Sequence, residues 1–84
     1  MGVFRPAEKV TDPNGRSWEI YVSRSEPPGS GVRIVEAFTF WPAKESYSWT
    51  TTGDHVQRVV RQIARGLEQG ELARPLGATF RGAP

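Results

Sequence analysis

Cysteine is absent from this chain, and histidine occurs once, as His55. The first absence excludes disulfides, thiolate metal sites and thiol nucleophiles, and it removes redox usage as a guide to compartment. The second leaves no basis for a histidine-built metal site. No apolar run approaches the roughly 18 residues that span a bilayer, and the opening MGVFRPAEK carries no apolar signal core. Pro6 stands where an N-myristoylation signal requires serine or threonine. A cytoplasmic protein without membrane contact or cofactor is therefore expected.

Charge is also sparse in net terms. The 84 residues sum to +2, with six basic and six acidic groups in residues 1–51 against five and three in residues 52–84. Nine of the eleven basic residues are arginine, which suits bidentate contact with phosphate or carboxylate. The length allows one domain, residues 1–84, because domains run about 50 to 200 residues. At this size folding buries only roughly 60% of the unfolded surface, so a second copy or a partner would add stability. Three Trp, four Phe and two Tyr supply the core mass.

What is present is one long amphipathic pattern. From Thr51 to Gln69, Val56, Val59, Val60, Ile63, Ala64 and Leu67 recur at the spacing of one buried helical face. Arg58, Arg61 and Arg65 line up on the opposite side, flanked by Gln57, Gln62 and Glu68. Thr51 or Thr52 is expected to cap this helix, with Asp54 in its first turn, and Gly70 to end it at C′.

The rest of the chain reads as strands that meet the helix. Val3 to Thr11 is a weak first strand restricted by Pro6, and Asp12 to Gly15 (DPNG) is strong turn chemistry. Arg16 to Arg24 sets Trp18, Ile20 and Val22 against Glu19, Tyr21 and Ser23. Ser25 to Gly31 is a loop, and its GSG lacks the lysine and following helix of a phosphate loop. Val32 to Trp41 sets Val32, Ile34, Glu36, Phe38 and Phe40 against Arg33, Val35, Ala37, Thr39 and Trp41. Glu36 thus lies among apolar neighbours, which calls for either a bulge or a partly wet face. Pro42 to Ser46 is a connection, and Tyr47 to Thr51 a short strand. The tail, residues 71–84, is expected to drape across the body, with room for a short strand at Ala78 to Arg81. The predicted fold is α+β: an antiparallel sheet of three to four strands, packed against one C-terminal amphipathic helix and followed by an extended tail.

Catalysis has little support. Ser46, Ser48, Thr50, Thr51 and Thr52 beside Asp54 and His55 contain the letters of a hydrolase triad, but adjacent residues on a helix diverge by about 100°. Two binding roles remain. One is a protein contact, with a second copy or another protein, through the sheet face that the helix leaves bare. That face is expected to carry some of Tyr21, Val35, Ala37 and Trp41. The alternative is nucleic acid, held by Arg58, Arg61 and Arg65 together with Arg16, Arg24, Arg33 or Arg74, with Tyr21, Trp41, Tyr47 or Trp49 stacking on bases. The order of strands and then one helix resembles, in layout, the three-stranded DNA-binding domains of phage-type integrases and plant AP2 factors. That resemblance implies groove entry by the sheet, for which the strands here offer Arg16, Arg24 and Arg33.

Overall fold

The computed structural model describes residues 5–25 and 27–82. Five strands, β1 (Glu8–Thr11), β2 (Ser17–Val22), β3 (Val32–Thr39), β4 (Glu45–Thr52) and β5 (Thr79–Gly82), form one antiparallel sheet in the order β1-β2-β3-β4-β5. The helix α1 (Val56–Glu68) lies between β4 and β5 in sequence. The α+β class therefore holds, but the sheet has five strands and the helix is mid-chain. The part of the expected first strand that precedes Arg5 falls outside the described residues.

Period-two alternation decides the core. Trp18 and Ile20 of β2, Val35 and Ala37 of β3 and Trp49 of β4 point to one face, where Val59, Val60, Ile63, Ala64 and Leu67 of α1 cover them. Ile20, Val35, Trp49, Val59 and Ile63 are fully enclosed, and each such side chain contributes on the order of 1.5–3 kcal/mol. Val35 and Ala37 were expected in part on the bare face. They lie under the helix because Tyr21 pairs with Glu36, which puts Glu36 and Tyr21 on one face and Val35 and Ala37 on the other. No bulge interrupts β3: its pairing with β4 is continuous from Val32 to Thr39. Glu36 is half-buried on the uncovered face, and the bulge of this sheet falls at Ser48/Trp49, between β4 and β5.

The helix starts later than its pattern suggested. Thr51 and Thr52 remain in β4, paired with Arg33 and Val32, and β-branched residues suit a strand. His55 is the N-cap and forms no side-chain cap bond; Asp54 precedes the helix, whose first turn has no acidic residue. Thr51 instead donates its hydroxyl to Gly77 O at 2.6 Å. The C-terminus ends as expected. Gly70 has φ +79, its N–H reaches Leu67 O at 3.0 Å, and Glu71 N–H reaches Gly66 O at 2.8 Å, which is a complete Schellman motif.

The segment after the helix is tied down by side chains far away in sequence. Trp49 Nε1 donates to Ala73 O at 3.0 Å and Arg58 donates to Leu76 O at 3.0 Å, while Pro75 is buried and Arg74 lies 4.5 Å from the Phe80 ring centre. Gly66 lets this segment approach the helix, since a Cβ there would sit 3.1 Å from Ala73 Cβ. β5 then pairs with β4 through Phe80 opposite Trp49. Among the described residues no helix is long and apolar enough to cross a membrane.

Candidate functional site

Among the described residues α1 covers one side of the sheet and no element covers the other, which is therefore called the bare face. It is built from Glu19 and Tyr21 of β2, Ile34, Glu36 and Phe38 of β3, and Ser46, Ser48 and Thr50 of β4. Its centre is aromatic. The Tyr21 and Phe38 rings meet edge to face at 5.9 Å, and Phe38 stacks on Phe40 at 6.0 Å with planes 8° apart. Phe40 follows the end of β3 and is 58% exposed. The Tyr21 hydroxyl donates to Glu19 Oε1 at 2.6 Å, and this bond raises the phenol's pKa above its ordinary value. A shallow groove runs along these residues, lined by Tyr21, Val22, Ser23, Glu36, Phe38 and Phe40.

Arg58, Arg61 and Arg65 are brought together as the spacing predicted, and with Gln62 they line a shallow depression on the outer side of the helix. Arg58 is partly committed, because its Nη2 also lies 3.1 Å from His55 Nδ1 while donating to Leu76 O. Among the described residues, ion pairs are made by Arg16 alone. The three helix arginines therefore have no carboxylate partner there. They lie on the opposite side of the molecule from Tyr21, with the sheet between them. Trp41, in the β3–β4 connection, is 77% exposed. Tyr47 sits on the helix side of the sheet, its ring near Trp18 at 6.1 Å and Phe80 at 6.4 Å. Trp49 is enclosed in the core and cannot stack on a base, and the arginines and the other three aromatic residues do not form one surface.

The basic strand residues are also directed elsewhere. Arg33 shares the helix-side face with Val35, and its Nε donates to Ser23 O at 2.6 Å. Arg16 is held by Asp12 and Glu45. Of the charged residues of β1–β3, Glu19, Glu36 and the marginal Lys9 lie on the bare face, where groove entry by a sheet would use a run of cations.

A second polar cluster was not apparent from sequence. Asp12, nearly buried, accepts from the backbone N–H groups of Asn14 and Arg16, from Arg16 Nε and from Trp18 Nε1, at 2.9 to 3.0 Å. The Trp18 bond above all, with the Arg16 and Asn14 bonds, outweighs burial and lowers the Asp12 pKa to about 2. Arg16 goes on to Glu45, whose other oxygen accepts from the Tyr47 hydroxyl at 2.9 Å. Glu45 is lowered by the Tyr47 and Arg16 bonds, and Tyr47 is raised by Glu45. The Asp-Pro-Asn-Gly turn signalled Asp12 as a turn residue, but no local signal joins it to Glu45. The cluster links the β1–β2 turn to β4 through Arg16, which donates to both carboxylates.

The hydroxyl residues do not assemble around His55. Ser46, Ser48 and Thr50 face the bare side, Thr51 is bound to Gly77 O, and the close side-chain partner of His55 is Arg58. Among the described residues no group of three or more acidic or histidine side chains is placed to hold a metal ion. Comparison of the chain with protein-family models, curated proteins and solved structures gives no match.

Proposed function

We propose that the protein is a non-enzymatic interaction module that docks a protein partner on the bare face of its sheet. The supporting observation is the row of Tyr21, Phe38 and Phe40, in which Phe38 touches each of the other two rings, on a face that no element covers among the described residues. Contiguous apolar patches of this kind on a small domain mark contact surfaces, and aromatic residues are enriched where binding energy concentrates. The sheet supplies a rigid platform, so little ordering entropy is lost when a partner docks. Selection of random displayed peptides on the immobilised protein tests this reading. Enriched sequences should bind the wild type and lose binding to Phe38→Thr, a substitution that keeps strand propensity. Enrichment of nothing, or equal binding to both proteins, contradicts it.

A second reading rests on the arginine face. Arg58, Arg61 and Arg65 are exposed and unpaired by carboxylates among the described residues, so they are available to phosphates of a nucleic acid. Binding would be sequence-independent and steeply salt-dependent, with no help from Tyr21 or Tyr47. Replacement of all three by alanine should abolish retention on heparin; retention that survives removes this reading.

A further inference from the structure

One carboxylate of the bare face makes no ion pair among the described residues. Glu36 lies mid-strand between Ile34 and Phe38, opposite Tyr21 on β2 and Ser48 on β4. Glutamate is a poor strand former, and the ion pairs among the described residues leave Glu36 without a cation. Among the charges of β1 to β3, those sharing this face are Glu19, which accepts the Tyr21 hydroxyl, and Lys9, opposite Glu19 at the sheet margin. A carboxylate set among three rings is the chemistry that receives a cationic side chain: the ring faces attract a cation within about 6 Å, and the carboxylate neutralises it.

We propose that the groove lined by Tyr21, Val22, Ser23, Glu36, Phe38 and Phe40 takes an arginine or lysine side chain of a protein partner, with apolar residues of that partner on the flanking rings. This rests on the bare face being the docking surface. The occupant follows from charge. Across a two-fold axis a residue meets its own equivalent only on the axis itself, so a second copy would bring to this face one marginal cation, Lys9, for the two carboxylates Glu19 and Glu36. A basic, apolar polypeptide supplies the cation that Glu36 lacks among the described residues. The Tyr21–Glu19 hydrogen bond acts as a positioning contact that holds the ring edge-on to Phe38.

The test uses two capped peptides, leucine-arginine-leucine and leucine-citrulline-leucine, which differ in charge at nearly constant shape. Each is titrated into nitrogen-15-labelled full-length protein, with amide shifts as the readout. The arginine peptide should shift Tyr21, Glu36 and Phe38, and the citrulline peptide should bind about tenfold more weakly. In Glu36→Gln the two peptides should bind alike. Equal affinity of both peptides at the bare face of the wild type overturns the cation assignment and leaves docking there intact. Absence of shifts on that face with either peptide overturns the assignment as well, and the displayed-peptide selection then decides whether docking stands. Self-association on sedimentation that is lost in Glu36→Gln would name a second copy as the occupant and overturn the assignment to a separate partner.

Discussion

Asp12 shows how much of a small fold can rest on one carboxylate. Its folded pKa of about 2 lies below the unfolded value near 3.9, so it binds fewer protons in the native state. Its contribution is fully present above about pH 4 and is lost as pH falls towards 2. Urea midpoints measured from neutral pH downward should fall across that window. In Asp12→Asn the fall should be shallower and stability at neutral pH lower, because an amide NH2 would face the donors of Trp18 and Arg16. An unchanged pH profile in the variant would contradict this. Thr39 gives the opposite case. Its hydroxyl is fully buried with no hydrogen-bond partner among the described residues, so Thr39→Val removes a desolvation penalty and should raise unfolding free energy by about 1 kcal/mol. A fall in stability on chemical denaturation would show that the hydroxyl is satisfied. Neither behaviour was legible in the sequence. The alternation placed Trp18 and Ile20 correctly on one face, but the partners of Asp12 and the isolation of Thr39 depend on strands that meet only in three dimensions.

At the scale of elements, the helix stripe was the most legible feature, since Val59, Val60, Ile63, Ala64 and Leu67 are all buried against the sheet. Ile63→Asp or Val60→Asp should leave the domain unfolded, because the charge would enter the core unpaired. Loss of near-ultraviolet circular dichroism and of cooperative melting would report it; a cooperative fold in the double variant would contradict it. Boundaries were less legible. The threonines ahead of the helix fit a cap by local chemistry, yet pairing with Val32 and Arg33 keeps them in β4. The fifth strand was visible as a short β-compatible run at Ala78 to Arg81. Its place beside β4 depends on Trp49, Thr51 and Arg58 holding carbonyls of the intervening segment. Those long-range bonds have no signature in the segment's own glycines and prolines.

For the whole molecule, the consequence of one helix on one sheet is two unlike sides. The helix side ends in three arginines, and the bare side in three rings with two carboxylates. Helical spacing picked out Arg58, Arg61 and Arg65, and alternation in β2 set Tyr21 apart from Trp18 and Ile20, but Phe38 and Phe40 were not singled out: the Tyr21–Glu36 register brings Phe38 to the bare face in place of the expected Val35 and Ala37, and packing against Trp18 and Phe80 brings Tyr47 towards the helix. The sheet's two edge strands are four residues each and carry Glu8, Lys9 and Arg81, which discourages pairing with further strands. Contact through the bare face is then favoured over contact through an edge. The most direct measurement is a nitrogen-15 amide titration of the full-length protein with a peptide taken from the displayed-library selection. Shifts concentrated at Tyr21, Ile34, Glu36, Phe38 and Phe40 are expected. Shifts concentrated at Arg58, Arg61 and Arg65, or along the β1 or β5 edge, would contradict the bare sheet face as the working surface.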